Sequence, residues 1–213
     1  FSTHADFFDY DNDGDLDMYL VTHPVDFIDK NKTKYFQKIE KGVNLSDHFY
    51  VNNGDGTFEE KHLEVGINNH GYGLSATVGD LNNDGFLDVF VSNDYAMYDF
   101  VYMNNGDGTF RDESLTSLKK TSINSMGTDV SDFNNDGFLD VVVADMDMED
   151  NYTYKTFMLS SHVEVMRILL NAGYGYQNRS NSLQLNNGDG TFGEISRTAG
   201  AATTDWSWST IFA

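Results

Sequence analysis

A chain of 213 residues with 34 acidic against 13 basic side chains carries a formal charge of −21, which excludes nucleic acid as a main partner, because phosphate binding needs a basic face. The absence of cysteine excludes a disulfide scaffold and thiolate zinc, 39% hydrophobic content with 14% aromatic excludes a disordered acidic tail, and no transmembrane segment of roughly 18 apolar residues is present in this piece. The acid is also lopsided, with 26 Asp, 8 Glu and 21 Asn. Asp, Asn and Gly together point to tight turns and to short oxygen ligands held in loops.

In chain order, FSTHADFF leads into an acidic nonapeptide, DYDNDGDLD, at Asp9–Asp17. An insertion near 21–48 follows, in which Lys30, Lys32, Lys34, Lys38 and Lys41 hold five of the 13 basic residues. A solvated loop is the default reading of that reversal, and docking of an acidic glycan, a lipid headgroup or a partner protein is the alternative. A turn heptapeptide, NNGDGTF, occupies Asn52–Phe58. The second unit has the same order without an insertion. Strand-like runs at Leu74–Gly79 and Leu87–Ser92 flank DLNNDGFLD (Asp80–Asp88), and runs at Phe100–Asn104 and Thr109–Glu113 flank a second NNGDGTF at Asn104–Phe110. The third unit offers DFNNDGFLD at Asp132–Asp140, a strand in which Val141 and Val143 alternate with Val142, an insertion near 145–180, and NNGDGTF at Asn186–Phe192. Within that insertion Ser161 to Glu164 fits a capping box, and Leu159, Val163, Met166 and Leu170 recur at helical spacing. A helix is therefore predicted near His162–Leu170, closing at Gly173. In the closing WSWSTIFA, Trp206 and Trp208 alternate with serines, which puts both rings on one side of a strand. Packing between blades is the default reading there, and a sugar-stacking platform is the alternative.

The spacing makes this an array. Asn52 to Asp80 and Asn104 to Asp132 are both 28 residues, and the same phase from Asn186 predicts another acidic motif directly after Ala213. The chain reads as three consecutive units of a longer array, at about 1–72, 73–124 and 125–213. Insertions of 19 and 30 residues in the outer units are of a size that loops absorb at small entropic cost. Four short strands per unit with polar turns predict an all-β chain of β-propeller blades, each of four antiparallel strands with calcium-binding inter-strand loops. A β-helix has repeats much shorter than the 52-residue minimum found here.

The acidic motif reads D-x-[DN]-x-[DN]-G-x-x-D. Positions 1, 3 and 5 offer oxygen side chains, Gly at 6 permits a sharp turn, position 7 offers a carbonyl, and position 9 closes with a carboxylate. The candidate ligands are Asp9, Asp11, Asp13, the Asp15 carbonyl and Asp17 in the first loop; Asp80, Asn82, Asp84, the Phe86 carbonyl and Asp88 in the second; and Asp132, Asn134, Asp136, the Phe138 carbonyl and Asp140 in the third. Position 12, where an EF-hand carries Glu, is Leu20, Val91 or Val143, so the motif lies between strands and not between helices. An Asx-rich turn without metal is the competing reading, but so many carboxylates in nine residues repel one another unless a cation sits among them. An all-oxygen set favours Ca²⁺ over Zn²⁺ or Mg²⁺ at three sites. NNGDGTF, with one Asp per copy (Asp55, Asp107, Asp189), reads as the hairpin turn between outer strands.

These loops resemble the calcium loops of FG-GAP/VCBS repeats, the blades of integrin-α-type β-propellers. More narrowly, FFDYDNDGDLDMYLV, GYGLSATVGDLNNDGFLDVFVSND, LQLNNGDGTF and DWSWS resemble the secreted ASPIC/UnbV-associated, cartilage-acidic-protein-like members. The resemblance implies a seven- or eight-bladed secreted or cell-surface propeller used for binding or adhesion. It is specific for fold and metal and far less so for activity.

Nothing else in the sequence points to catalysis. The six histidines form no H-x-x-x-H pair, and no G-x-S-x-G, phosphate loop or triad order stands out. The acids that could pair as in a glycosidase are mostly absorbed by the metal loops. The reading is a calcium-stabilised, non-catalytic binding module for a protein or glycan ligand. The alternatives are a carbohydrate-active propeller (lectin or polysaccharide lyase) and a structural subunit of a surface or outer-membrane protein complex.

Overall fold

The computed structural model describes residues 1–24, 45–95, 97–157, 167, 170–171 and 173–212. Three four-stranded antiparallel sheets account for most of it. The first sheet is β1 (Ser2–Phe8), β2 (Asp17–Thr22), β3 (His48–Asn52) and β4 (Phe58–Glu60). The second is β5 (Gly73–Gly79), β6 (Asp88–Asn93), β7 (Phe100–Asn104) and β8 (Phe110–Asp112). After helix α1 (Ser114–Ser117) and β9 (Thr121–Ser122), the third sheet begins with β10 (Gly127–Ser131) and β11 (Asp140–Ala144). Helix α2 (Asn151–Phe157) and β12 (Gln177–Asn178) intervene before β13 (Ser182–Asn186) and β14 (Phe192–Glu194) complete it. A last helix, α3 (Ser196–Ala199), follows, and β9 pairs with β12 in a short parallel ribbon. Within each large sheet the strands lie side by side in chain order, each antiparallel to its neighbours.

The middle sheet sits between the other two, and the period of two divides its side chains between two cores. Val89, Val91, Phe100 and Tyr102 join Phe8, Tyr19 and Phe49 of the first sheet. Phe90, Val101 and Met103 point the other way, onto Val141, Val143 and Phe192 of the third. Covered on both faces, β6 and β7 are buried along their whole length, whereas β2 alternates buried with half-buried residues. Phe49 anchors the first core, with the rings of Phe8, Tyr10, Tyr19 and Phe110 set edge-on around it at 4.9–6.4 Å, the geometry aromatic quadrupoles favour.

Two local expectations fare differently. The Lys30–Lys41 segment and most of the helix predicted near His162–Leu170 lie outside the described residues. A helix over Asn151–Phe157 was not anticipated. Its start is fixed by Asp150, whose Oδ2 accepts from the Thr153 N–H and Oγ1 at 2.7 and 2.8 Å, an N-cap bond that the Asp150-x-x-Thr153 spacing encodes. The strand expected at Trp206–Ser209 is absent, and both indoles are exposed, 46% and 64%. β1, β5 and β10 each pair with the strand after an acidic loop. Among the described residues nothing offers that partner to residues 206–212, which instead lie along β10, with the Phe212 N–H donating to Asp129 at 2.8 Å.

Candidate metal centres

The three acidic nonapeptides form the β1–β2, β5–β6 and β10–β11 connections, so all fifteen candidate ligand residues fall in three equivalent loops. Each loop folds around its first residue. Asp9 accepts from the N–H groups of Asp13 (3.1 Å) and Gly14 (2.9 Å). Asp80 does the same with Asp84 (3.0 Å) and Gly85 (2.9 Å), and Asp132 with Asp136 (3.0 Å) and Gly137 (2.8 Å). Position 5 then accepts from the N–H at position 7: Asp13 from Asp15, Asp84 from Phe86 and Asp136 from Phe138, each at 2.9 Å. Position 3 differs between copies. Asn82 and Asn134 donate to Asp84 and Asp136 at 2.9 and 2.8 Å, whereas Asp11 brings a further negative charge.

The closing carboxylate has a second task. Asp17 accepts from the N–H groups of Tyr10 (3.3 Å) and Asn52 (2.8 Å), Asp88 from Leu81 (2.8 Å) and Asn104 (2.8 Å), and Asp140 from Phe133 (3.3 Å) and Asn186 (2.8 Å). One side chain thus clamps the acidic loop to the first Asn of NNGDGTF, which turns from the third strand into the fourth as expected. A carboxylate offers about four lone-pair directions, so two N–H bonds leave room for a cation.

Sequence reasoning missed position 4. It is Asn12, Asn83 or Asn135, each in the left-handed region with φ 58–61°, a conformation Asn tolerates better than other side-chain-bearing residues. Asn12 donates to the Gly85 carbonyl of the next loop at 3.4 Å, and Asn83 to the Gly137 carbonyl at 2.9 Å. A second stitch joins the same neighbours. Asn104 donates to the Tyr10 carbonyl and Asn186 to the Leu81 carbonyl, both at 2.7 Å. The invariance of Asn at position 4 in three copies was the available signal. The partners, 54–105 residues away, had none.

The fit to a hard divalent cation rests on the donor set and its charge. Asp9, Asp11 and Asp17 each bring a carboxylate oxygen within 4.8 Å of the others. Burial pushes the closing acids up, Asp88 to about 6, with the charges of Asp84 and Asp80 adding to it. Asp17 and Asp140 rise for the same reasons. Repulsion of this kind is what a cation among oxygen ligands relieves. The hairpin acid behaves differently. Asp55 accepts from Thr57 Oγ1 and N–H at 2.5 and 2.9 Å, and these bonds hold its carboxyl below the usual range.

A family model for FG-GAP-like repeats matches residues 40–91 and 80–143. Cartilage acidic protein 1 of Xenopus tropicalis is 35% identical over 80 residues, which cover 37% of this chain and 12% of that protein. Integrin alpha-E of Mus musculus is 30% identical over 159 residues, 65% of this chain and 13% of the integrin. The chain therefore spans only a small part of either relative. A solved Agrocybe aegerita lectin, described as recognising non-reducing terminal N-acetylglucosamine, aligns with TM-score 0.42 and 20% identity over 88% of this chain and 36% of that one. Since the matched span runs from the first sheet through the second acidic loop and into the third, residues 40–143 are FG-GAP-like repeats, and the three four-stranded sheets are β-propeller blades of the kind such repeats form.

Proposed function

We propose that this chain is a calcium-stabilised binding or adhesion module, carried outside the cell, that presents a β-propeller face to a protein or glycan ligand and catalyses nothing. The observation that carries the reading is the threefold loop. In all three copies positions 1, 5 and 9 make the same hydrogen bonds, and positions 3 and 7 add a side-chain oxygen and a backbone carbonyl to the donor set. Asp9, Asp11, Asp13, Asp15 and Asp17, and their counterparts at 80–88 and 132–140, would each hold one Ca²⁺, a cation that takes six to eight oxygens in a flexible ring. The bound ion fixes the loop ends of the blades; the chain's residues do the recognising. Units at about 1–72, 73–124 and 125–213 serve as the blades. Similarity to an integrin α-chain supports adhesion, and among the described residues no helix is long and apolar enough to cross a membrane.

A glycan-directed version of this reading has one observation in its favour, the exposed pair Trp206 and Trp208, since flat aromatic faces present large rigid contact areas. The test is retention of the full chain on immobilised matrix proteins and on glycan arrays, at about 2 mM Ca²⁺ and with chelator, the range in which extracellular calcium modules are filled. Binding that needs calcium and is weakened by Asp84→Ala is expected. Retention indifferent to calcium and to Asp84→Ala would overturn the reading, and release of unsaturated sugars from an acidic polysaccharide would replace it with a lyase.

A further inference from the structure

The first blade carries a cluster that its sister blades lack. In the β3–β4 hairpin Tyr50 lies opposite Glu60. Two residues further along this register, where the Lys61 N–H still donates to the Phe49 carbonyl at 2.8 Å, His48 faces His62. The period of two places His48, Glu60 and His62 on one face. Both imidazoles converge on the same oxygen: Glu60 Oε1 is 3.2 Å from His48 Nδ1 and 2.5 Å from His62 Nδ1. All three donor atoms lie within 4.8 Å of one another. His62 is buried, at 5% exposure, His48 is half-buried and Glu60 reaches solvent, so the cluster is fixed on one side and open on the other.

The repeat supplies the control. In the second blade the equivalent positions are Phe100, Asp112 and Ser114, and in the third Ser182, Glu194 and Ser196. There the acid accepts from the N–H two residues on, Asp112 from Ser114 and Glu194 from Ser196, both at 2.9 Å. Glu60 keeps that bond to the His62 N–H at 3.4 Å. The turn therefore closes with serine, and neither histidine is needed to build it.

We infer that His48, Glu60 and His62 form a binding site for a zinc-type divalent transition metal on the outer edge of the first blade, with one coordination position left open to solvent. Two imidazoles and one carboxylate suit Zn²⁺, whereas the oxygen-only loops suit Ca²⁺. With metal–ligand bonds of about 2.0–2.1 Å, a tetrahedral site has ligand–ligand edges of about 3.3 Å. The His48–Glu60 distance already matches that edge, and the His62–Glu60 pair opens to it once the hydrogen bond is replaced by the ion. The open position gives the site the chemistry of a docking point for water, a carboxylate or an imidazole. The site is independent of the acidic loops and of the function proposed for them.

The test is titration of the full chain, saturated with Ca²⁺ to fill the loops, with Zn²⁺ against a chromophoric chelator and with Co²⁺ followed by visible absorption. One Zn²⁺ per chain with a Kd below about 10 µM is expected, with the intense visible bands of tetrahedral Co²⁺. His48→Ala should weaken binding at least tenfold while leaving the calcium-loaded melting temperature unchanged. Glu60→Gln, exposed and at a sheet edge, serves as a second variant. No saturable zinc site in the calcium-loaded protein, wild-type affinity in both variants, or only the weak absorption of oxygen-ligated Co²⁺ would overturn the inference.

Discussion

At the scale of single residues, the blades are held by a repeated pair of clamps, and charge is the variable that distinguishes the copies. One clamp is the closing carboxylate of each acidic loop. The other lies at the opposite end of the sheet, just before the third strand, where Asp47, Asp99 and Asn181 accept the N–H of Thr22, Asn93 and Asp145 at 2.6, 3.0 and 2.8 Å. The third blade makes this bond with a neutral amide, so the architecture does not require the charge. Burial pushes the Asp99 carboxyl up to about 7, from an ordinary value of 3.8, against the lowering effect of the Asn93 bond. The folded protein then binds this proton more tightly than the unfolded chain does. The resulting stability is fully present below about pH 4 and is lost as pH rises through about 7. Asp99→Asn keeps the acceptor for Asn93 and places its amide beside Ser125. It should flatten the wild-type decline between pH 4 and 7 and exceed wild type by up to about 4 kcal/mol at pH 8. Denaturant midpoints across that range decide it. A variant with the wild-type slope would mean that Asp99 ionises as freely folded as unfolded.

At the scale of elements, the second blade was legible almost residue by residue because no insertion interrupts it. The runs expected at Leu74–Gly79, Leu87–Ser92, Phe100–Asn104 and Thr109–Glu113 appear as Gly73–Gly79, Asp88–Asn93, Phe100–Asn104 and Phe110–Asp112. Alternating apolar residues set their faces and Asn-Gly turns set their ends. What was not legible depends on register and on distant partners. His48 and His62 stand seven residues either side of Asp55, a symmetry that acquires meaning only once the turn is known to centre there. The tryptophans failed for the complementary reason: alternation describes a strand, but a strand exists only where another segment pairs with it. The hairpin itself carries a graded test. Gly106 has φ +69° and an added Cβ would lie 2.7 Å from the Phe86 ring, whereas at Gly108, with φ +81°, the nearest atom is the Tyr10 hydroxyl at 3.7 Å. Gly108→Ala should cost about 1–2 kcal/mol from left-handed strain alone. Gly106→Ala should cost about 1–3 kcal/mol more, from displacing the ring. Equal losses in thermal unfolding would mean that Phe86 moves aside freely.

At the scale of the molecule, the acidic loops form one connected row. Asn12 reaches the second loop and Asn83 the third, while Asn104 and Asn186 return from the hairpins to the loop of the preceding blade. If each loop holds Ca²⁺ with a Kd near 0.1 mM, about 2 mM free calcium stabilises the fold by roughly 1.8 kcal/mol per site, or about 5 kcal/mol for three. That equals the lower end of a whole domain's net stability, so chelation should lower the melting temperature sharply. The stitches add a second expectation. A cation that orders one loop also fixes the carbonyl its neighbour's Asn grips, so the loops should fill cooperatively, with a Hill coefficient above one. Asn83→Gly isolates this coupling. Glycine keeps the left-handed backbone at φ 58° and removes only the bond to Gly137, worth about 1 kcal/mol. Calorimetric titration of this variant should show three calcium sites, with the second and third no longer coupled. The same titration shape in wild type and Asn83→Gly would mean that each loop is ordered by its own blade, and that the row of stitches transmits nothing.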